Sequence, residues 1–203
     1  AQGRGEAFDY LIGEKTTKSA KKSIIAAANL LCSAKFPIIS VNGNVAALCS
    51  QEIIKLANII NAGIEINLFY TNEKREKKIE KFMLKSGAKK ILGLNRKKTK
   101  EIKGLESGRR YVDKNGIYKA DVVLVPLEDG DRTIALKKIG KKIITIDLNP
   151  LSRTAQTAHI TIVDNLTRSL SLLCKECTKI KKEKVKKKLK KFGQGDLLYY
   201  RIS

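Results

Sequence analysis

Short apolar runs and longer amphipathic stretches alternate along most of this chain. "FPIISVNG" (36–43) is nearly all apolar, the pattern of a strand buried on both faces. "VAALCSQEIIKLANIIN" (45–61) then carries apolar residues at helical spacing, with Gly63 expected as its stop. "IEINLFY" (64–70) predicts a strand, "NEKREKKIEKFMLKSG" (72–87) a charged helix with Ile79, Phe82 and Met83 turned inward, and "KKILGL" (89–94) another strand. Further strands are predicted at 120–127, 142–148 and 159–165, with a short helix at 132–140. This alternation argues an α/β fold: Rossmann-like, a mostly parallel sheet flanked by helices. A helix at 15–31, with Ile24, Ile25, Ala28 and Leu31 on one face, precedes it, and one starting near Leu166 follows it. The expected organisation is a single α/β domain, 1–203. Its parts are an N-terminal helical part (1–35), a sheet core (36–165), and a basic C-terminal helix and tail (166–203). Segment 95–119 reads as a long irregular connection, a kind of loop that is usually functional or mobile.

Composition narrows the partners. A chain of 203 residues, 42% of them hydrophobic, can bury one sizeable core. No apolar run approaches the ~20 residues of a membrane span. The opening "AQGRGEAF" lacks the apolar stretch of a signal peptide, so a cytoplasmic protein that does not engage the membrane is expected. The formal charge of +22 draws anions: nucleic acid, acidic membranes or phosphorylated metabolites. Much of it lies in "KIKKEKVKKKLKKF", where Leu170, Leu173, Val185, Leu189 and Phe192 keep an interrupted apolar stripe. A solvated amphipathic face is the expectation there. A nucleic-acid-binding module is the rival, disfavoured because aromatics are only 5% of the chain and few interleave with the basic runs. Cys32, Cys49, Cys174 and Cys177 read as reduced thiols, since the lone "CKEC" lacks the second pair that structural zinc wants.

In doubly wound sheets ligands sit at the carboxyl ends of the strands, and here those ends are polar. "SVNGN" ends one strand, and the free N–H groups of the next helix would suit an anion beside Asn42, Gly43 and Asn44. "PLEDGDRT" crowds Glu128, Asp129 and Asp131 together in an acid-poor chain. A helix cap explains one or two of these acids, and Asp129 with Asp131 is a candidate magnesium site. Arg132 beside them joins Asn42, Gly43 and Asn44 as a candidate substrate-binding residue. "DLNPLSRT" offers Asp147 and Asn149 for ribose hydroxyls or a base edge, and Arg153 for a phosphate. There is no Walker loop, no Gly-x-Ser-x-Gly elbow and no Gly-x-Gly-x-x-Gly between strand and helix, which excludes the ordinary P-loop ATPase and dinucleotide oxidoreductase.

Taken together, "GRGEAFDYLIGE", "ISVNGNVAAL", "EINLFY", "ADVVLVPLEDGDRT", "IDLNPLSRTAQTA" and "TIVDN" resemble the archaeal 4-phosphopantoate–β-alanine ligases, also called phosphopantothenate synthetases. The resemblance runs from Gly3 to about Leu173. It implies condensation of 4-phosphopantoate with β-alanine at the expense of ATP, giving 4'-phosphopantothenate, AMP and diphosphate in coenzyme A synthesis, by a homodimer. It carries ATP contacts onto Asp147, Leu148, Asn149, Arg153, Thr154, Asn165, Leu166 and Arg4. The candidate catalytic set is then Arg4, Glu128, Asp129, Asp131 and Arg153, with Mg²⁺ on the phosphates and one of the acids taking the amine proton. A regulatory nucleotide-binding domain without catalysis is the third expectation. Family members also have an N-terminal segment with a further nucleotide-contacting arginine, which has no counterpart in the sequence given.

Overall fold

The computed structural model describes residues 2–70, 72–105 and 107–191, without the side chains of 2–5 and 187–191. Five parallel strands make the main sheet: β1 (Pro37–Val41), β2 (Gly63–Ile66), β5 (Val122–Leu124), β6 (Lys142–Ile146) and β7 (Ile160–Ile162), in the order β2-β1-β5-β6-β7. Ile39 pairs with Ile64 on one side and Leu124 on the other, and Ile144 lies between Leu124 and Ile160. Both sheet faces are buried, as near-continuous apolar strands require. Ile39, Leu124 and Ile144 meet α2 (Lys18–Ser33), α3 (Gly43–Ile60) and α7 (Leu166–Lys191) in one core. Ile38, Val123 and Ile143 meet α5 (Gly130–Lys138) and the segment 102–120 in the other.

Local chemistry explains the element ends. Thr17 caps α2 by accepting from the Ala20 amide, and Asn42 caps α3 by accepting from the Asn44 and Val45 amides. The helix α3 stops at Asn61, not Gly63. Asn61 takes the left-handed conformation (φ 56°) that asparagine tolerates. On α4 (Glu73–Lys85), Met83 is buried, but Phe82 is exposed, as is Ile25 on α2. Leu170 and Leu173 of α7 are buried, Val185 is exposed, and Leu189 and Phe192 lie outside the described side chains.

Two predictions between β2 and β5 are corrected. Residues 89–94 form no strand: only Leu92 bridges to Glu65, because Gly93 turns at once into positive φ (91°). A side chain at Gly93 would meet the Ile66 carbonyl oxygen at 2.5 Å. Nor is 95–119 irregular. It holds β3 (Thr99–Glu101) paired antiparallel with β4 (Tyr111–Asp113), and buries Ile102, Leu105, Val112 and Ile117. Glu65, fully buried at the end of β2, holds this hairpin down: its carboxylate accepts from the Asp113 amide (3.0 Å) and the Ile117 amide (2.7 Å).

Candidate active site

The carboxyl ends of all five parallel strands open onto one edge, and the chain reverses its direction across the sheet between β1 and β5. Such a switch point leaves a crevice for ligands. Asn42 after β1 spans it by donating to the Leu127 carbonyl after β5 (3.0 Å). Leu127 itself is held at φ 51°, an uncommon conformation for a residue with a side chain. Gly43 opens α3 with the Arg75 guanidinium lying against it, so that a side chain there would meet Arg75 Nη2 at 2.8 Å. Sequence reasoning missed Arg75, which reads as one more charge on a solvated helix.

Every acid of "EDGD" is paired with arginine. Glu128, with a side chain only 2% exposed, accepts from the guanidinium groups of Arg109 and Arg132. Asp129 caps α5 with one oxygen, accepting from the Arg132 amide, and binds Arg109 with the other. Asp131 pairs with Arg153 at the surface. Gly130 is required between them: a side chain there would meet the Arg153 Cβ at 2.4 Å, so α5 and α6 (Arg153–Thr157) touch at their first residues.

Two expectations change in consequence. Arg132 is fully buried beneath the site, bonded to Glu128 and to Ser40 Oγ at 3.2 Å, and braces the loop where a substrate contact was expected. Among the described residues no group of three or more His, Cys, Asp or Glu side chains is arranged to hold a metal. The magnesium pair does not fit either: both Asp129 oxygens are committed, and Asp131 is matched by Arg153.

The β6–α6 loop is organised by its own side chains. Asp147 accepts from the Asn149 amide and the Ser152 hydroxyl, Ser152 caps α6, and Leu148 is buried. The Thr154 hydroxyl, also buried, donates to the Glu128 carbonyl. The Asn149 side-chain oxygen accepts from the Leu151 amide, and the Arg153 guanidinium is exposed.

After β7, Asp164 accepts from Arg168 and Thr16, and the Asn165 side-chain oxygen accepts from the Thr167 amide at the start of α7. Arg168 also grips Asp9 on α1 (Gln2–Leu11), and hydrogen bonding from Asp9, then Asp164, holds its pKa above the usual arginine value. Asn165 donates to the same Asp9 (3.4 Å). The α1 helix bearing Arg4, whose own side chain is outside the described set, is thereby anchored beside Asn165 and Leu166. Arg109 and Asp9 gave no local signal, since their partners are distant in the chain, and Arg168 has only Asp164 nearby in sequence.

The cysteines lie elsewhere, all four buried and free. Side-chain hydrogen bonding with Cys177 lowers the Cys32 thiol to about 7, while burial raises Cys49 and Cys174 to about 11.

Residues 19–202 match the phosphopantothenate/pantothenate synthetase family. Three curated relatives bear the name 4-phosphopantoate–β-alanine ligase. The protein of Thermococcus kodakarensis is 52% identical over 197 residues, 97% of this chain and 75% of its own length. That of Thermococcus onnurineus is 52% identical over 98% of this chain and 72% of its own. That of Methanosarcina mazei is 53% identical over 91% and 72%. These matches span every strand-end loop described above, and the chain belongs to the phosphopantothenate/pantothenate synthetase family.

Proposed function

We propose that this protein is an ATP-dependent 4-phosphopantoate–β-alanine ligase of coenzyme A biosynthesis, working as one α/β domain and through a phosphopantoyl-adenylate. The observation that carries it is the half-identity to relatives of that name over nearly the whole chain. The geometry supports it with one continuous polar edge that offers separate stations for two anionic substrates.

In this reading ATP lies along the β6–α6 and β7–α7 loops. Asn149 and the backbone around Asp147 and Leu148 meet the nucleoside, Asn165, Leu166 and Thr154 line its bed, and Arg153 and Arg4 meet the phosphates. The phosphate of 4-phosphopantoate takes the start of α3, where Asn42, Gly43 and Asn44 present amides and Arg75 adds a guanidinium. The ionised carboxylate then needs no base. Its oxygen attacks the α-phosphorus, the bond to the β-phosphate breaks, and diphosphate leaves. Arg153, released from Asp131 toward the nucleotide, neutralises the charge that builds there. In the second step the amine nitrogen bonds to the acyl carbon and AMP leaves with the electron pair. The ammonium of β-alanine gives up one proton before attack and one after. Asp131 is the acid best exposed to receive them, because Glu128 is locked between two guanidinium groups. Magnesium accompanying ATP would add positive charge at the phosphates, alongside Arg153 and Arg4. The homodimer that the family implies belongs to the same proposal, as does a solvated, non-catalytic role for the lysines of α7.

Two measurements check this. Arg153→Ala should weaken ATP binding about 10- to 150-fold, the loss of a charge-assisted contact worth about 1.5–3 kcal/mol. Unchanged ATP affinity would remove Arg153 from the nucleotide site. Oxygen-18 in the 4-phosphopantoate carboxylate should appear in AMP. Its appearance in inorganic phosphate, with ADP formed, would mean acyl-phosphate chemistry instead.

A further inference from the structure

Beside the start of α5 lies a cavity of about 270 Å³, walled by Phe69, Gly104, Leu105, Ser107, Asp129 and Asp131. It falls just below the ~300–1,000 Å³ of sites for drug-sized ligands, so it admits a short-chain molecule and not a nucleotide. One wall carries the two carboxylates. The lining also includes an apolar side chain, Leu105, and the ring of Phe69, whose face attracts cations: the Arg109 guanidinium already lies 5.6 Å from its centre. Ser107 heads the turn Gly108–Arg110 without making the side-chain cap bond usual there, and its hydroxyl has no partner among the described residues. Arg109, nine-tenths buried and joined to both Phe69 and Asp129, keeps a buried Nε–H without a partner.

An acid, a free hydroxyl and an aromatic ring in one lining, with an unsatisfied guanidinium N–H close by, complement a zwitterion with a short apolar middle. We propose that this cavity is the subsite of the amine co-substrate, a short ω-amino acid. Its ammonium faces Ser107 and Asp131, the acid freed when Arg153 turns to the nucleotide, its methylenes run along Leu105 and Phe69, and its carboxylate is drawn toward Arg109. The inference rests on the ligase reading above. Its position agrees with that reading: Asp131 borders the cavity on one side and meets the Arg153 of the nucleotide loop on the other.

The adenylation half-reaction separates the two claims. Diphosphate–ATP exchange that depends on 4-phosphopantoate reports adenylate formation without any amine. Ser107→Leu fills the cavity, Ser107→Ala only removes the hydroxyl, and Phe69→Leu removes the ring from a half-exposed position that tolerates exchange. Ser107→Leu should raise the β-alanine KM about tenfold or more, and the other two a smaller, several-fold amount, with exchange rate and ATP KM within about twofold in all three. Unchanged β-alanine KM in Ser107→Leu, with exchange intact, overturns the subsite and leaves the ligase standing. If the unaltered protein shows no exchange, the ligase reading has failed. β-Alanine titration by calorimetry then still judges the cavity: heat lost in Ser107→Leu and Phe69→Leu supports it, and equal heat in all forms overturns it.

Discussion

Arg132→Met is expected to destabilise the fold by about 3–5 kcal/mol, the usual consequence of removing one partner from a buried ion pair. Arg132 is wholly buried, and Glu128, 2% exposed at its side chain, would keep only Arg109 on one side. Replacing both partners should cost much less than the sum. In Glu128→Gln/Arg132→Met no uncompensated charge remains, and neutral or apolar replacement of a buried pair is often tolerated. Urea unfolding of the two single variants and the double variant makes the cycle. A single variant within 1 kcal/mol of the unaltered protein, or strict additivity, would mean that Arg132 does not brace the loop. The result matters for function because Glu128 and Asp129 set where α5 begins, and hence where Asp131 stands.

Glu65→Gln is expected to change how stability depends on pH. Burial raises the Glu65 carboxyl from 4.5 to about 7, against the opposing hydrogen bonds from Ile117 and Asp113. The folded state therefore keeps a proton that the unfolded state has already lost. Below pH 4.5 both states are protonated and the group contributes no penalty. As pH rises from 4.5 to 7 the unfolded state ionises first, so stability falls. Above 7 both are ionised and the penalty is complete, on the order of 3 kcal/mol. Glutamine lacks the titration but turns an N–H toward one of the two amides that Glu65 accepts, a cost that does not vary with pH. The stability difference between the two proteins should thus swing by about 3 kcal/mol toward the variant between pH 4.5 and 8. Parallel curves would show that Glu65 titrates near its ordinary value in the fold. Because Glu65 seats the 113–117 turn, loosening it should also loosen Arg109, which the same hairpin carries to Glu128.

The parallel sheet was legible because its strands are apolar on both faces, so 36–43 and 120–127 stand out without any partner being known. The polar strand ends were legible for the complementary reason. Asn42, Glu128, Asp147 and Asn165 interrupt apolar runs where a buried strand must surface. What failed was local in cause. Residues 89–94 look like a strand, but Gly93 bends away after a single bridge. The 95–119 hairpin has strands of three residues, rich in charge, with too little alternation to be seen.

The layered α/β architecture, the polar strand-end loops and the family are written in the order of residues, because apolar periodicity and contiguous motifs are properties of neighbours along the chain. Tertiary structure alone decided how the charges are used. Asp9 and Arg168 are 159 positions apart, and Arg109 reaches Glu128 and Asp129 only because the hairpin folds over the switch point. Ion pairing depends on distance through space, and that distance is set by the crossovers of the sheet. The same "EDGD" that reads as a metal cradle along the chain is therefore a set of carboxylates matched to arginines in the fold, and the seemingly available Arg132 is the buried brace beneath them.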